Sequence, residues 1–173
     1  MSELAVLIEH DGRTQLVFTR RLAHPQEEVW RAVTEPEHQQ AWFPDEMCGE
    51  RKQGAALDFV HEGETLFSGE MLVFDPPSVM EFAWGPDDRV RIEVEPDGAG
   101  SVLTLTHTFD EYGKAARDGA GWHECLDLLA SALDGTPVPW KLGQHWSEIH
   151  AEYVQAFPAA AATIGPPEGW SPD

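Results

Sequence analysis

Between Asp45 and Phe109 the chain consists of short β-prone runs joined by connections too short to hold a helix, and no other stretch limits the fold as much. The runs cover 47–52, 56–61, 65–74, 78–84, 89–95 and 101–109. Between them stand Gln53-Gly54, Glu62-Gly63-Glu64, Pro76-Pro77, Gly85-Pro86-Asp87-Asp88 and Pro96-Asp97-Gly98-Ala99-Gly100. Gly, Pro and Asp favour turns because they accept left-handed or fixed backbone angles. Connections this short make neighbouring strands antiparallel. The expected product is a meander of about six or seven strands. Alternation then assigns faces. Met80, Phe82 and Trp84 share one, as do Val90, Ile92 and Val94, with Arg89, Arg91, Glu93 and Glu95 opposite. Leu103, Leu105, His107 and Phe109 share another, with Thr104, Thr106 and Thr108 opposite.

An apolar sheet face needs a cover, and the stretch from Gly121 to Leu133 supplies one. Trp122, Cys125, Leu126, Leu129 and Leu133 recur at helical spacing, while His123, Glu124, Asp127, Ser131 and Asp134 fall on the other side. Asp118 is placed to cap the start, with Glu124 and Asp127 in the first turns. Gly135 and Pro137 form a stop. Burying that apolar stripe is worth roughly 10 kcal/mol before opposing costs, so the helix must lie on something large.

The remaining segments fit around this pair. Leu4–Ile8 and 16–22 flank His10-Asp11-Gly12-Arg13, a hairpin signal. Pro25 suits a helix start, with Glu27 and Glu28 in its first turn and Val29, Trp30 and Val33 inside. Pro36 ends that helix and opens a second through Ala41 to Trp42 and Phe43, closed by Pro44. A last helix fits 144–157, with Trp146, Ile149, Tyr153 and Phe157 as its stripe and Pro158 as its end. The Ala-, Pro- and Gly-rich remainder reads as loose.

Charge and cysteine usage narrow the function. With 31 Asp plus Glu against 11 Lys plus Arg, the formal charge is −20, which repels phosphate backbones and anionic lipids. Nucleic acid and membrane surfaces are therefore not expected partners. Cys48 and Cys125 give no disulfide framework, and Cys125 lies on the apolar stripe. The start carries no basic region and no long apolar run, which points to a cytoplasmic protein.

Arg20-Arg21-Leu22, His24-Pro25 and Val29-Trp30-Arg31-Ala32-Val33-Thr34-Glu35-Pro36-Glu37 resemble the opening of the START-like SRPBCC superfamily. Trp42-Phe43-Pro44, Pro76-Pro77, Thr104-Leu105-Thr106-His107 and Gly121-Trp122 are similar, more narrowly, to the bacterial heat-shock-protein-90 ATPase activator homologues. The resemblance runs from Arg13 to Phe157 and departs at Gln39, where that branch usually has an apolar residue. It implies a curved antiparallel sheet around a C-terminal helix, often enclosing a cavity. Members bind lipids, hormones or other apolar molecules, and some are polyketide cyclases or aromatases. The branch takes its name from a co-chaperone domain, and a fold does not by itself transfer that role.

His107 is the residue with the most chemical interest, because a polar ring on an apolar face needs a partner. It either anchors a ligand or moves a proton, or it bonds a neighbouring backbone or carboxylate and is a satisfied core histidine. Glu70, aligned with Leu66, Leu72 and Phe74, and His61, aligned with Leu57 and Phe59, are candidates for an acid–base pair unless a bulge reverses their facing. His145 and His150 are five apart, and there is no His-Glu-x-x-His or Cys-x-x-Cys, so no metal is expected. No phosphate loop, dinucleotide fingerprint or nucleophile elbow is present, so no cofactor is expected.

The expectation is an α+β helix-grip domain over 1–157 followed by a flexible tail over 158–173. Its cavity, between sheet and helix, would be lined by Met80, Phe82, Trp84, Ile92, Leu105, His107, Trp122, Leu126 and Leu129 and would hold a small apolar or aromatic molecule. No catalytic residue is assigned. The alternatives are a cyclase-type enzyme with His107 as proton shuttle, and a protein-interaction module such as a chaperone partner. A homodimer fits all three.

Overall fold

A computed structural model describes residues 2–172. Strands β1 (Val6–His10) and β2 (Arg13–Leu22) form the expected hairpin. Asp11 and Gly12 both take positive φ, 51° and 75°, as a tight two-residue hairpin turn requires. Helices α1 (Gln26–Thr34) and α2 (Pro36–Gln39) then carry the chain to the far edge of the sheet. There the meander begins: β3 (Glu46–Cys48), β4 (Ala56–His61), β5 (Glu64–Asp75), β6 (Val79–Trp84), β7 (Asp88–Asp97) and β8 (Gly100–Phe109). The last strand pairs with β2, giving the order β1-β2-β8-β7-β6-β5-β4-β3, antiparallel throughout.

The strand faces follow the alternation. Met80, Phe82, Val90, Ile92, Val94, Leu103, Leu105 and Phe109 are fully buried on the inner face. Strand β3 is shorter than the run 47–52, because Gly49 takes φ of 139° at a place where a Cβ would collide with the Ala56 carbonyl oxygen. Two bulges settle the facing of Glu70 and His61. The register shifts after Phe59 on β4 and between Met71 and Val73 on β5. Met71 turns inward, whereas Glu70 and His61 are both exposed, and the His61 ring lies 3.5 Å from Asp45. The acid–base pair considered for them is not assembled.

The gripped helix, α3 (Ala115–Asp134), runs for 20 residues, about 30 Å. It starts before Asp118, which lies in its first turn and does not cap it, and Glu124 and Asp127 are mid-helix. The small residues at its start are a packing requirement. A Cβ on Gly119 would lie 3.2 Å from the ring of Tyr153 on α4 (Gln144–Ala156), so two helices approach closely here. At the other end Gly135 adopts the left-handed conformation, with φ of 65°. Because α3 is covered by the sheet and by α4, His123, placed by its spacing on the polar side, is fully buried.

Gln39 is buried too, and satisfied. Its Nε2 donates to the Val33 carbonyl at 2.8 Å and its Oε1 accepts from Arg51 Nη2 at 2.7 Å. After Pro158 the chain makes a 3-10 turn (Ala159–Ala162) and buries Ala161. Ile164 N–H donates to the Gly113 carbonyl at 3.0 Å, and Trp170 meets Trp146 edge-on at 4.8 Å.

Candidate functional site

Strand register gathers one polar cluster at the edge of the apolar face. Trp84 pairs with Asp88 across β6 and β7, and Val90 with His107 across β7 and β8. Asp88 precedes Val90 by two residues, so it shares the inner face and lies diagonal to His107. The helix contributes by its own period. Lys114, at the end of a 3-10 turn, Asp118 and Trp122 are spaced by four and present one face toward the strand ends.

The cluster is hydrogen-bonded around His107, which is 1% exposed. Its Nε2 lies 2.8 Å from Asp88 Oδ2, and its Nδ1 accepts from Trp122 Nε1 at 3.3 Å. An indole nitrogen only donates, so Nδ1 carries no proton and Nε2–H donates to Asp88. Asp88 Oδ2 also accepts from Lys114 Nζ at 2.6 Å. Burial opposes ionisation of Asp88, but the hydrogen bonds from His107 and Lys114 outweigh it and hold the carboxyl below its ordinary value. Asp118 lies 3.6 Å from the same ammonium and accepts from Arg117 Nε at 2.9 Å. Asp88, His107 and Asp118 each offer an atom within 4.8 Å of the others, the spacing of metal ligands. The Lys114 ammonium stands within reach of both carboxylates and supplies positive charge there.

Beside this cluster lies a cavity of about 280 Å³. Trp84, Trp122, Pro44 and Cys125 form its apolar walls, and Asp88, His107, Lys114, Arg117 and Asp118 its polar side. The two indoles are 5.5 Å apart, and Phe43 lies 5.5 Å from one and 5.8 Å from the other. Behind them Phe59 and Phe82 continue the aromatic packing. Burial pushes the Cys125 thiol up, so it serves as apolar wall and not as a thiolate.

Of the residues expected to line a cavity, the structure brings Trp84, His107 and Trp122 together here. Met80, Phe82, Ile92 and Leu105 are fully buried in the core, and Leu126 is nearly so. Leu129 lines a different cavity near the other end of α3. The sequence reading missed Asp88, Lys114, Arg117 and Asp118. Two signals were available for Asp88, Lys114 and Asp118, though not for Arg117: the even spacing 88, 90, 92, 94 along one strand and the four-residue spacing 114, 118, 122 along the helix start.

A second buried cluster ties the chain's beginning to α3 and α4. Ser2 Oγ donates to Asp127 Oδ1 at 2.6 Å, so it accepts from His123 Nε2–H at 2.8 Å. His123 Nδ1 then accepts from the Tyr153 hydroxyl at 3.0 Å, and that oxygen accepts Ala5 N–H at 2.9 Å. His145 Nε2 lies 2.9 Å from the other oxygen of Asp127. Burial, aided by Arg20 and His145 and opposed by Asp127, lowers His123 to about 4. Burial likewise pushes Tyr153 up to about 12.

The family model described as activator of Hsp90 ATPase homolog 1-like protein matches residues 23–134. No curated protein matches the chain. Among solved structures, the crystal structure of CalU16 from Micromonospora echinospora is 26% identical, with a TM-score of 0.72 over 92% of this chain and 96% of that one. Its solution structure is 25% identical, with a TM-score of 0.70 over 92% and 91%. A conserved protein of unknown function, EF2215 from Enterococcus faecalis, shares the fold at 15% identity, with a TM-score of 0.74 over 88% and 89%. Among the described residues no helix is long and apolar enough to cross a membrane.

Proposed function

The chain belongs to the family of activator of Hsp90 ATPase homolog 1-like proteins, with the helix-grip fold of the START-like SRPBCC superfamily, and from that premise we propose that it binds a small aromatic molecule in the cavity between β6, β7, β8 and the first half of α3. The observation that carries this reading is the pairing of two indole walls with a dense polar edge in one cavity. Small-molecule sites join apolar and aromatic walls to a few placed polar groups. At about 280 Å³ the cavity suits a compact ring system. A flat body lies against the edge that the touching Trp84 and Trp122 rings present to the cavity, and its polar substituent meets Lys114 or Asp118. His107 serves that edge through Asp88, since both of its ring nitrogens are engaged. Free Cys48 and Cys125 fit an intracellular setting.

The test uses 1-naphthol as probe and follows the indole N–H signals by NMR. Saturable shifts at Trp84 and Trp122 are expected. Gly121→Leu should remove them while keeping the fold. Gly121 lines the cavity, and a Cβ there meets only Trp146 Nε1 at 4.0 Å, so the side chain has room and the helix gains a better former. Naphthol binding that survives Gly121→Leu, or that leaves both indoles unmoved, rejects this location.

A second reading rests on the Asp88–His107 hydrogen bond, which orients an imidazole as acid–base enzymes do. In a cyclase-type reaction Trp122 would have to release Nδ1 so that it could accept a substrate proton. Turnover of an enolisable aromatic precursor, lost in His107→Gln with binding retained, would support catalysis; binding without turnover supports the first reading.

A further inference from the structure

Toward the C-terminal end of α3, away from the His107 cluster, α1, α2 and α3 border an open groove of about 670 Å³. Leu133, Ala32, Ala41 and Ala132 supply the apolar surface of its bed, over Trp42 and Leu129, which are themselves buried. The one polar atom of the Trp42 side chain is used internally, donating to the Ala32 carbonyl at 2.9 Å, so the floor is apolar. The rim is different. Glu27, Glu28 and Glu37 are exposed carboxylates on it. Arg31 and His38 share the rim, each held by Glu35 at 3.3 Å, and Glu28 is engaged by His24, so Glu27 and Glu37 are the rim carboxylates left unbalanced. The groove therefore offers an apolar bed beneath a rim with unbalanced negative charge.

We propose that this groove is a second binding site, one that takes an organic cation with an apolar body. A neutral molecule of the same shape gains the bed and not the rim, and an anion is repelled by the rim. The volume lies within the usual range for small-molecule sites, and three helices close the groove on its sides. The site is independent of the cavity beside His107, and Gly121→Leu should leave it unchanged.

The experiment compares decyltrimethylammonium and decanoate, each below its micelle concentration, and decanol below its solubility limit, following the backbone amides of Ala132 and Leu133 by NMR. Saturable binding of the ammonium is expected, about tenfold tighter than that of decanol, the size that a few exposed charge contacts supply. Decanoate should bind more weakly still. Glu27→Gln with Glu37→Gln should remove most of the preference for the cation while decanol binding stays. Ala132→Trp, a change at an exposed helix position, should fill the groove and abolish all three. No saturable ammonium binding, equal binding of ammonium and decanol, or ammonium binding that persists in Ala132→Trp would each overturn the proposal.

Discussion

His107 and His123 are both buried and both carry partners on each ring nitrogen, the first on β8 facing α3 and the second on α3 itself, yet they do different work. His107 reaches outward through Asp88 to Lys114 and a cavity walled by two indoles. His123 reaches, through Ser2 and Tyr153, to the first residues of the chain and to α4, although Ser2, Asp127 and His145 at the margin of that cluster also line a wide-open surface hollow without an indole pair. The difference teaches that a satisfied histidine is judged by what its partners touch. Partners that end on a cavity leave polar capacity for a ligand. Partners that end on backbone and helices hold the fold together.

The largest expected effect separates the two by stability. His123→Ala removes bonds to Ser2 and Tyr153 and leaves a buried void, for a loss of about 3–4 kcal/mol. His107→Ala should cost about 2 kcal/mol, because water from the adjoining cavity can satisfy Asp88 and Trp122. Urea unfolding of both variants checks the order, and equal losses would break the distinction.

The next effect is in pH. The lowered value of about 4 means that the unfolded chain takes up a proton at His123 before the native state does. Stability should therefore fall as pH drops from the ordinary histidine value of about 6.5 toward 4, and level off below. The groups facing His123 are Arg20 from β2, Asp127 from α3, and His145 and Tyr153 from α4. Midpoints of denaturant unfolding measured across this range should flatten in His123→Phe, whose overall stability is lower. A wild-type protein with constant stability from pH 6.5 to 4 would contradict the closed cluster.

The smallest effect belongs to the His107 side. Asp88 is held below its ordinary value, so its ionised form adds stability that is present above about pH 4 and is lost as pH falls through the native value. Asp88→Asn should cost about 1–2 kcal/mol at neutral pH, and the gap from wild type should shrink in acid. A gap unchanged at the lowest pH would show that the carboxylate's charge is not what holds Lys114 and His107.

Much of this molecule is legible in its sequence because local rules and tertiary packing agree there. The Asp11-Gly12 turn needs two positive φ values, and the inner faces of β6, β7 and β8 follow strict alternation. The motifs around Val29–Glu37 and Trp42-Phe43-Pro44 also pointed to the family. Legibility fails where a residue answers to two neighbours. His123 sits on the polar side only if α3 has one apolar partner, and it has two, the sheet and α4. Asp118 and Asp88 read as cap and turn because such roles are local, whereas their contacts with Lys114 and His107 arise only once strand ends meet the helix. Glu70 and His61 fail for a third reason: bulges leave no mark in an alternating pattern.

Native mass spectrometry of the protein purified from its own host tests the central claim most directly, with Gly121→Leu measured beside wild type. The account predicts a small-molecule mass on wild type that is lost on denaturation and absent from Gly121→Leu. A bound mass carried equally by both would place the ligand elsewhere. Wild type without any bound mass, and without response at Trp84 and Trp122 to aromatic compounds, would contradict a binding role for this cavity.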